Sequence, residues 1–208
     1  MIQKLVLASG NAGKLREFAR LLTPLGVEVV SQKTLGIEPV PEPHCTFLEN
    51  ALAKARHASE QSGLPALADD SGLCVPALGG APGVLSARFA TPQAGQDQDS
   101  LNNQKLVESM AAQSDRRGFY VALLVLVRHA QDPLPVVAQA VWHGEIVDQA
   151  RGQNGFGYDP HFWLPARQMT VAQLDPEVKN RISHRAMATD DLIAQTQTLG
   201  LIEPVTPR

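Results

Sequence analysis

The 208-residue chain is poor in cysteine, with only Cys45 and Cys74. They form no CxxC pair, so the sequence predicts neither a disulfide framework nor a thiolate metal site, and reduced thiols in a cytoplasmic protein are the expectation. No long apolar run is present. The longest, Phe119 to Val127, has nine residues, against roughly 18 or more for a membrane helix. The segment Met1 to Ala8 carries only Lys4 before a polar stretch, which is not the pattern of a secretory signal. Positive charge is not in excess: 18 Lys and Arg stand against 21 Asp and Glu, a net charge of −3. Nothing here is suited to neutralising a nucleic-acid backbone. His44, His57, His129, His143 and His161 show no zinc-ligand spacing and read as surface or packing residues. There is no internal repeat, heptad run or low-complexity stretch. These absences argue against a membrane-spanning helix and disfavour a polymer binder.

What remains is a globular composition, 44% hydrophobic and 19% charged, in a chain long enough to bury a core as one domain over residues 1–208. The patterning predicts a strand over Ile2 to Ala8 and a helix over Gly13 to Leu22 ended by Pro24 and Gly26. A second strand is predicted over Val27 to Ser31. Thr46-Phe47-Leu48-Glu49 fits a capping box, with Thr46 as N-cap and Glu49 reaching back, opening a helix to about Gln61. A short strand, Pro65 to Ala68, is expected to end as Asp69-Asp70-Ser71-Gly72 breaks out of it. A helix over Ser100 to Ala112, long strands over Phe119 to Val127 and Pro135 to Trp142, and a possible third over Glu145 to Asp148 follow. Helices over Pro176 to Ile182 and His184 to Thr198 close the chain. Helices mixed with adjacent long strands indicate an α/β fold on a mixed sheet.

Five strings carry chemistry. Ser9-Gly10-Asn11-Ala12-Gly13-Lys14 lies between a strand and a helix start, where amide donors, the helix dipole and a lysine favour an anion. It is not a Walker A loop, because only two residues separate Gly10 from Gly13-Lys14 and Leu15 follows. An ordinary strand–helix turn with a surface lysine reads equally well. Asp69 and Asp70 are neighbours on a strand, so their side chains point to opposite faces and have different jobs. With Glu42 in the preceding Pro-rich loop they offer hard oxygen ligands for Mg²⁺, or simply a capped turn. Lys54 shares a helix face with Asn50, or is solvated. Asn154-Gly155-Phe156-Gly157-Tyr158-Asp159-Pro160 sets an aromatic in flexible backbone, suited to stacking on a base or to anchoring a loop. Lys179-Asn180-Arg181-Ile182-Ser183-His184-Arg185 is dense in donors at a helix break, where Ser183 could also serve as an N-cap.

Taken in order, and with Thr46-Phe-Leu-Glu-Asn-Ala51, Lys54-Ala55, Ala68-Asp-Asp-Ser-Gly-Leu73 and Pro82-Gly-Val-Leu-Ser-Ala-Arg88, these strings closely resemble the inosine triphosphate pyrophosphatase family. These are the dITP/XTP pyrophosphatases, and the match runs from about Leu5 to Ala188. The resemblance implies an elongated two-lobed fold around a mixed central sheet with the site in the cleft, a homodimer, and a Mg²⁺ requirement. It implies hydrolysis of ITP, dITP and XTP to the monophosphate and pyrophosphate. Ser9, Gly10, Asn11, Ala12, Gly13 and Lys14 would hold the triphosphate and Lys54 a phosphate. Asp70 would be proton acceptor and metal-site aspartate, with Ser71 touching substrate. Phe156, Gly157, Tyr158 and Asp159 would line base and sugar, and Lys179, His184 and Arg185 would read the base.

The chain departs from the resemblance at Pro41-Glu42-Pro43-His44, where bacterial members usually carry Glu-Glu-Thr-Gly. Glu42 falls at the second glutamate and is taken as the metal-linked carboxylate. Phe89 stands where tyrosine is usual. Two other readings share the glycine loop: a nucleotide sensor without turnover, and a phosphohydrolase of different bond or base specificity.

Overall fold

The computed structural model describes residues 1–203. It contains one seven-stranded sheet in the order β2-β1-β3-β4-β5-β6-β7. The strands are β1 (Lys4–Leu7), β2 (Glu28–Ser31), β3 (Ala66–Cys74), β4 (Arg117–Val127), β5 (Val136–Ile146), β6 (Phe162–Leu164) and β7 (Met169–Thr170). The helices are α1 (Ala12–Leu22), α2 (Phe47–Ser62), α3 (Gln98–Met110), α4 (Pro176–Ile182) and α5 (His184–Thr198). β1 pairs in parallel with both β2 and β3, whereas β6 pairs antiparallel with both β5 and β7. The sheet is therefore mixed, as expected. β4 is fourth in the order and buried along almost its whole length. That is why it reads as an unbroken apolar run rather than an alternating one.

Backbone proximity divides the chain into two compact units. The first takes Met1–Asp70, Leu123–Gln139 and the stretch from Ala188; the second takes Ser71–Ala122 and Ala140–Met187. In the first, the alanine face of α2 (Ala51, Ala55, Ala58) packs with Val6, Ala66, Ala68, Val125 and Val127. Small side chains there let the helix lie close to the strands, and Thr46 starts it by accepting from Glu49 N at 3.2 Å. Glu49 reaches back to the Thr46 hydroxyl at 2.6 Å rather than to the backbone amide of a full capping box. In the second unit, Leu106 and Met110 of α3 pack with Tyr120, Ile146, Phe162 and Leu174. Each such side chain contributes about 1.5–3 kcal/mol by leaving water.

Two expectations need correcting, and two strands were missed. Asp69-Asp70-Ser71-Gly72 does not break the strand, because β3 runs on to Cys74. Residues 145 and 146 belong to β5 rather than to a separate strand. β6 and β7 were not anticipated, being three and two residues long, too short for a period to show. Among the described residues no helix is long and apolar enough to cross a membrane.

Candidate active site

In the first unit, β1 delivers the chain to Ser9 and α1 begins at Ala12. Asn11 is the N-cap. Its Oδ1 accepts from Gly13 N at 2.7 Å and Lys14 N at 3.2 Å, while Asn11 N donates to Ser9 Oγ at 3.1 Å. The amides of Gly13 and Lys14 are thus satisfied internally, so an anion at the loop would meet the helix dipole and Lys14 rather than those two donors. Gly13 suits the cap sterically, because a Cβ there would lie 3.0 Å from Asn11 Oδ1. Gly10 and Ala12 are exposed.

β3 places Asp69 and Asp70 on opposite faces, and each finds a different lysine. Lys14 Nζ lies 3.0 Å from Asp69 Oδ2, whose side chain is fully buried. Lys54 Nζ lies 3.0 Å from Asp70 Oδ1, 2.7 Å from Glu42 Oε1 and 3.0 Å from the Asp69 carbonyl oxygen. Lys54 is therefore not a solvated surface residue, and Glu42, although followed by Pro43, reaches the same ammonium as Asp70. Asp70 Oδ2 is buried without a hydrogen-bond partner among the described residues.

Burial pushes the Asp70 carboxyl above its ordinary range; Lys54 opposes the shift without reversing it, and Glu42 and Asp69 add to it. Burial works against the Lys54 ammonium, but Asp70 and Glu42 outweigh it and hold its pKa above the usual value. Two carboxylates, Asp70 and Glu42, share the single ammonium of Lys54, a local surplus of negative charge. An unpartnered carboxylate oxygen beside that surplus fits a divalent cation. No cluster of three or more His, Cys, Asp or Glu ligands surrounds one point among the described residues.

In the second unit the aromatic loop is held by its neighbours. Asp159 is buried, and its carboxylate accepts from Tyr120 Oη at 3.1 Å, from Phe156 N at 3.0 Å and from Lys179 Nζ. Gly155 has a φ of +81°, and a Cβ there would strike Asp159 Oδ2 at 2.0 Å, so this position requires glycine. Gly157 N donates to Asp99 Oδ2 at 2.7 Å, and Asn103 Nδ2 donates to Gly157 O at 2.8 Å. Tyr158 is buried, its hydroxyl donating to Ser86 O at 2.7 Å. Phe156 is left 61% exposed, with Lys179 Nζ 4.7 Å from its ring centre. Of the loop residues, then, Phe156 presents a ring, while Tyr158 and Asp159 act as its anchors. His184 stacks on Tyr120 with ring centres 4.8 Å apart, and Arg185 is buried. Ser183 Oγ accepts from Ala186 N at 3.3 Å, which is the capping role open to it. Ser71 follows Asp70 on β3, partly buried.

Sequence reasoning missed Tyr120, Asp99 and Asn103. Asp99 and Asn103 lie one turn apart on α3, but the peptide they hold is more than fifty residues away. No local pattern marks such a pair.

The Ham1 family model matches residues 5–195 of this chain. A dITP/XTP pyrophosphatase of Bordetella pertussis is 59% identical over 97% of this chain and 95% of its own length. One of Burkholderia pseudomallei is 57% identical over 92% of each. The solved structure of a HAM1 protein from Coxiella burnetii superposes with a TM-score of 0.87 at 44% identity, covering 96% of this chain and 99% of that one.

Proposed function

The chain belongs to the Ham1 family, and we propose that it hydrolyses the non-canonical purine nucleotides dITP, ITP and XTP to the nucleoside monophosphate and pyrophosphate, clearing them from the nucleotide pool. In this reading residues 1–208 work as one catalytic domain. The observation that carries it is Asp70. Its buried Oδ2 is unpartnered, its Oδ1 is fixed by Lys54, and Glu42 shares the same lysine.

Water attacks the α-phosphorus in line with the bridging oxygen, and Asp70 Oδ2 takes the water's proton. The α-phosphorus–oxygen bond breaks, the electron pair stays on the bridging oxygen, and pyrophosphate departs. Lys54 holds Asp70 in place from its other oxygen, so the proton acceptor is aimed before substrate arrives. Lys14 and Lys54 put positive charge near a substrate bearing several negative charges, with Ser9, Gly10, Asn11, Ala12 and Gly13 framing the phosphates. Asp70 and Glu42 would hold Mg²⁺, which when bound supplies charge neutralisation on the phosphates.

Phe156 stacks on the purine, held by the Gly157 and Asp159 contacts. Lys179, His184 and Arg185 supply donors toward the 6-oxo group of hypoxanthine or xanthine. Adenine presents a 6-amino donor there, leaving donor against donor, and sites built on such hydrogen bonds reject the wrong partner by roughly 10⁴-fold. The protein is further read as a cytoplasmic homodimer, with neither a nucleic-acid polymer nor a membrane as partner. Steady-state kcat/KM for dITP, ITP and XTP against dATP and ATP, in Mg²⁺, tests the base specificity. Preference for the 6-oxo nucleotides by at least about 10³-fold is expected, and comparable turnover of ATP refutes it.

A further inference from the structure

Glu42 stands between two prolines in a loop with no regular structure, and α2 holds that loop at one buried side chain. Asn50 is 1% exposed. Its Oδ1 accepts from His44 N at 3.1 Å and its Nδ2 donates to His44 O at 3.3 Å. Both ends of the amide are thus used on the backbone of one residue, which fixes that residue in position and orientation together. His44 is separated from Glu42 by Pro43 alone. Proline locks its own φ and restricts the residue before it to extended conformations. A constraint applied at His44 therefore reaches Glu42 through a backbone with few free rotations. Lys54, one turn beyond Asn50 on the same helix face, meets the Glu42 carboxylate at 2.7 Å. Asn50 holds the loop's backbone at His44, His57 meets it at the Glu38 carbonyl oxygen at 3.0 Å, and Lys54 holds the charge of Glu42.

We propose that Asn50 is the positioning residue for Glu42. It acts through His44 and Pro43 to hold a single carboxylate in place for a divalent cation. Preorganising that carboxylate removes the ordering cost that a mobile loop would add to each binding event. The inference rests on reading Glu42 as a metal-linked residue.

The test is the dissociation constant for Mn²⁺ on the full chain without nucleotide, from the electron paramagnetic resonance signal of free Mn²⁺. It is measured for wild type, Glu42→Gln, Asn50→Ala, Pro43→Ala, and each of the last two combined with Glu42→Gln. Loss of a residue that orients a ligand typically weakens metal binding about 10- to 100-fold. Asn50→Ala is expected to raise the constant by about tenfold or more in the wild-type background and to change nothing further once Glu42→Gln is present. An equal rise in both backgrounds, or none in either, overturns the proposal, because Asn50 would then serve the fold and not Glu42. If Asn50→Ala does not fold, the exposed Pro43→Ala decides. Freeing that φ should raise the constant roughly two- to fivefold with Glu42 present and not at all without it; no change in the wild-type background overturns the proposal. Glu42→Gln that leaves Mn²⁺ binding untouched refutes the metal-linked reading itself, and this inference with it.

Discussion

Lys14 Nζ lies 3.0 Å from the carboxylate of Asp69, whose side chain has no exposure at all. The lysine proposed to meet phosphate is thus also the partner of a buried charge. Lys14→Ala should lose on both counts: triphosphate affinity falls, and the fold loses about 1–3 kcal/mol because a buried acceptor is stripped of a donor. The two effects separate in Lys14→Ala/Asp69→Asn. The melting temperature should recover toward wild type while KM for ITP stays raised. Recovery of both together would make Lys14 a structural residue only.

Asp70 allows a sharper division between stability and activity. Burial raises its folded pKa above the unfolded value, so protonation favours the folded state. That contribution is fully present below the unfolded pKa and is lost as pH rises through the folded pKa. At pH 7 the ionised carboxylate is therefore a net cost to the fold. Asp70→Asn should be at least as stable as wild type at pH 7, and its advantage should vanish on acidification to about pH 4. Turnover should nonetheless fall by about 10²–10⁴-fold. Thermal melts at the two pH values, with kcat at saturating Mg²⁺, check this. A variant that is less stable at pH 7 and retains more than about a third of wild-type turnover contradicts it.

The grip of α3 on the aromatic loop gives a third expectation. Asn103 donates to Gly157 O and Asp99 accepts from Gly157 N, which together fix the peptide next to Phe156. Asn103→Ala removes one of these bonds, typically about 0.5–1.5 kcal/mol. KM for ITP should rise about two- to tenfold on that scale, with kcat little changed, because the groups around Asp70 are untouched. A fall in kcat at constant KM would place Asn103 in the chemical step instead.

Local signals accounted for much of the fold. The bounds of α4 and α5 follow the predicted Pro176 to Ile182 and His184 to Thr198, because Pro at a helix start and a break at Ser183 are marked in the chain itself. The C-terminal end of β3 was missed for the opposite reason. Asp, Ser and Gly favour turns in isolation, but here they are held extended within a sheet, with Lys14 and Lys54 meeting the two aspartates. The candidate site divided along the same line. Opposite faces for Asp69 and Asp70 follow from strand geometry alone. That Lys54 gathers Glu42 and Asp70 does not, because those partners are 12 and 16 residues away. The capping of Gly13 and Lys14 by Asn11 is legible in the sequence, since asparagine before a helix is a common N-cap.

In the proposed reaction water attacks the α-phosphorus of a 6-oxo purine nucleotide. Incubation of the protein with ITP and Mg²⁺ in ¹⁸O-labelled water, with products resolved by mass spectrometry, tests it most directly. IMP carrying one ¹⁸O and unlabelled pyrophosphate are expected. Label in orthophosphate or pyrophosphate, with IDP or unlabelled IMP beside it, would contradict it.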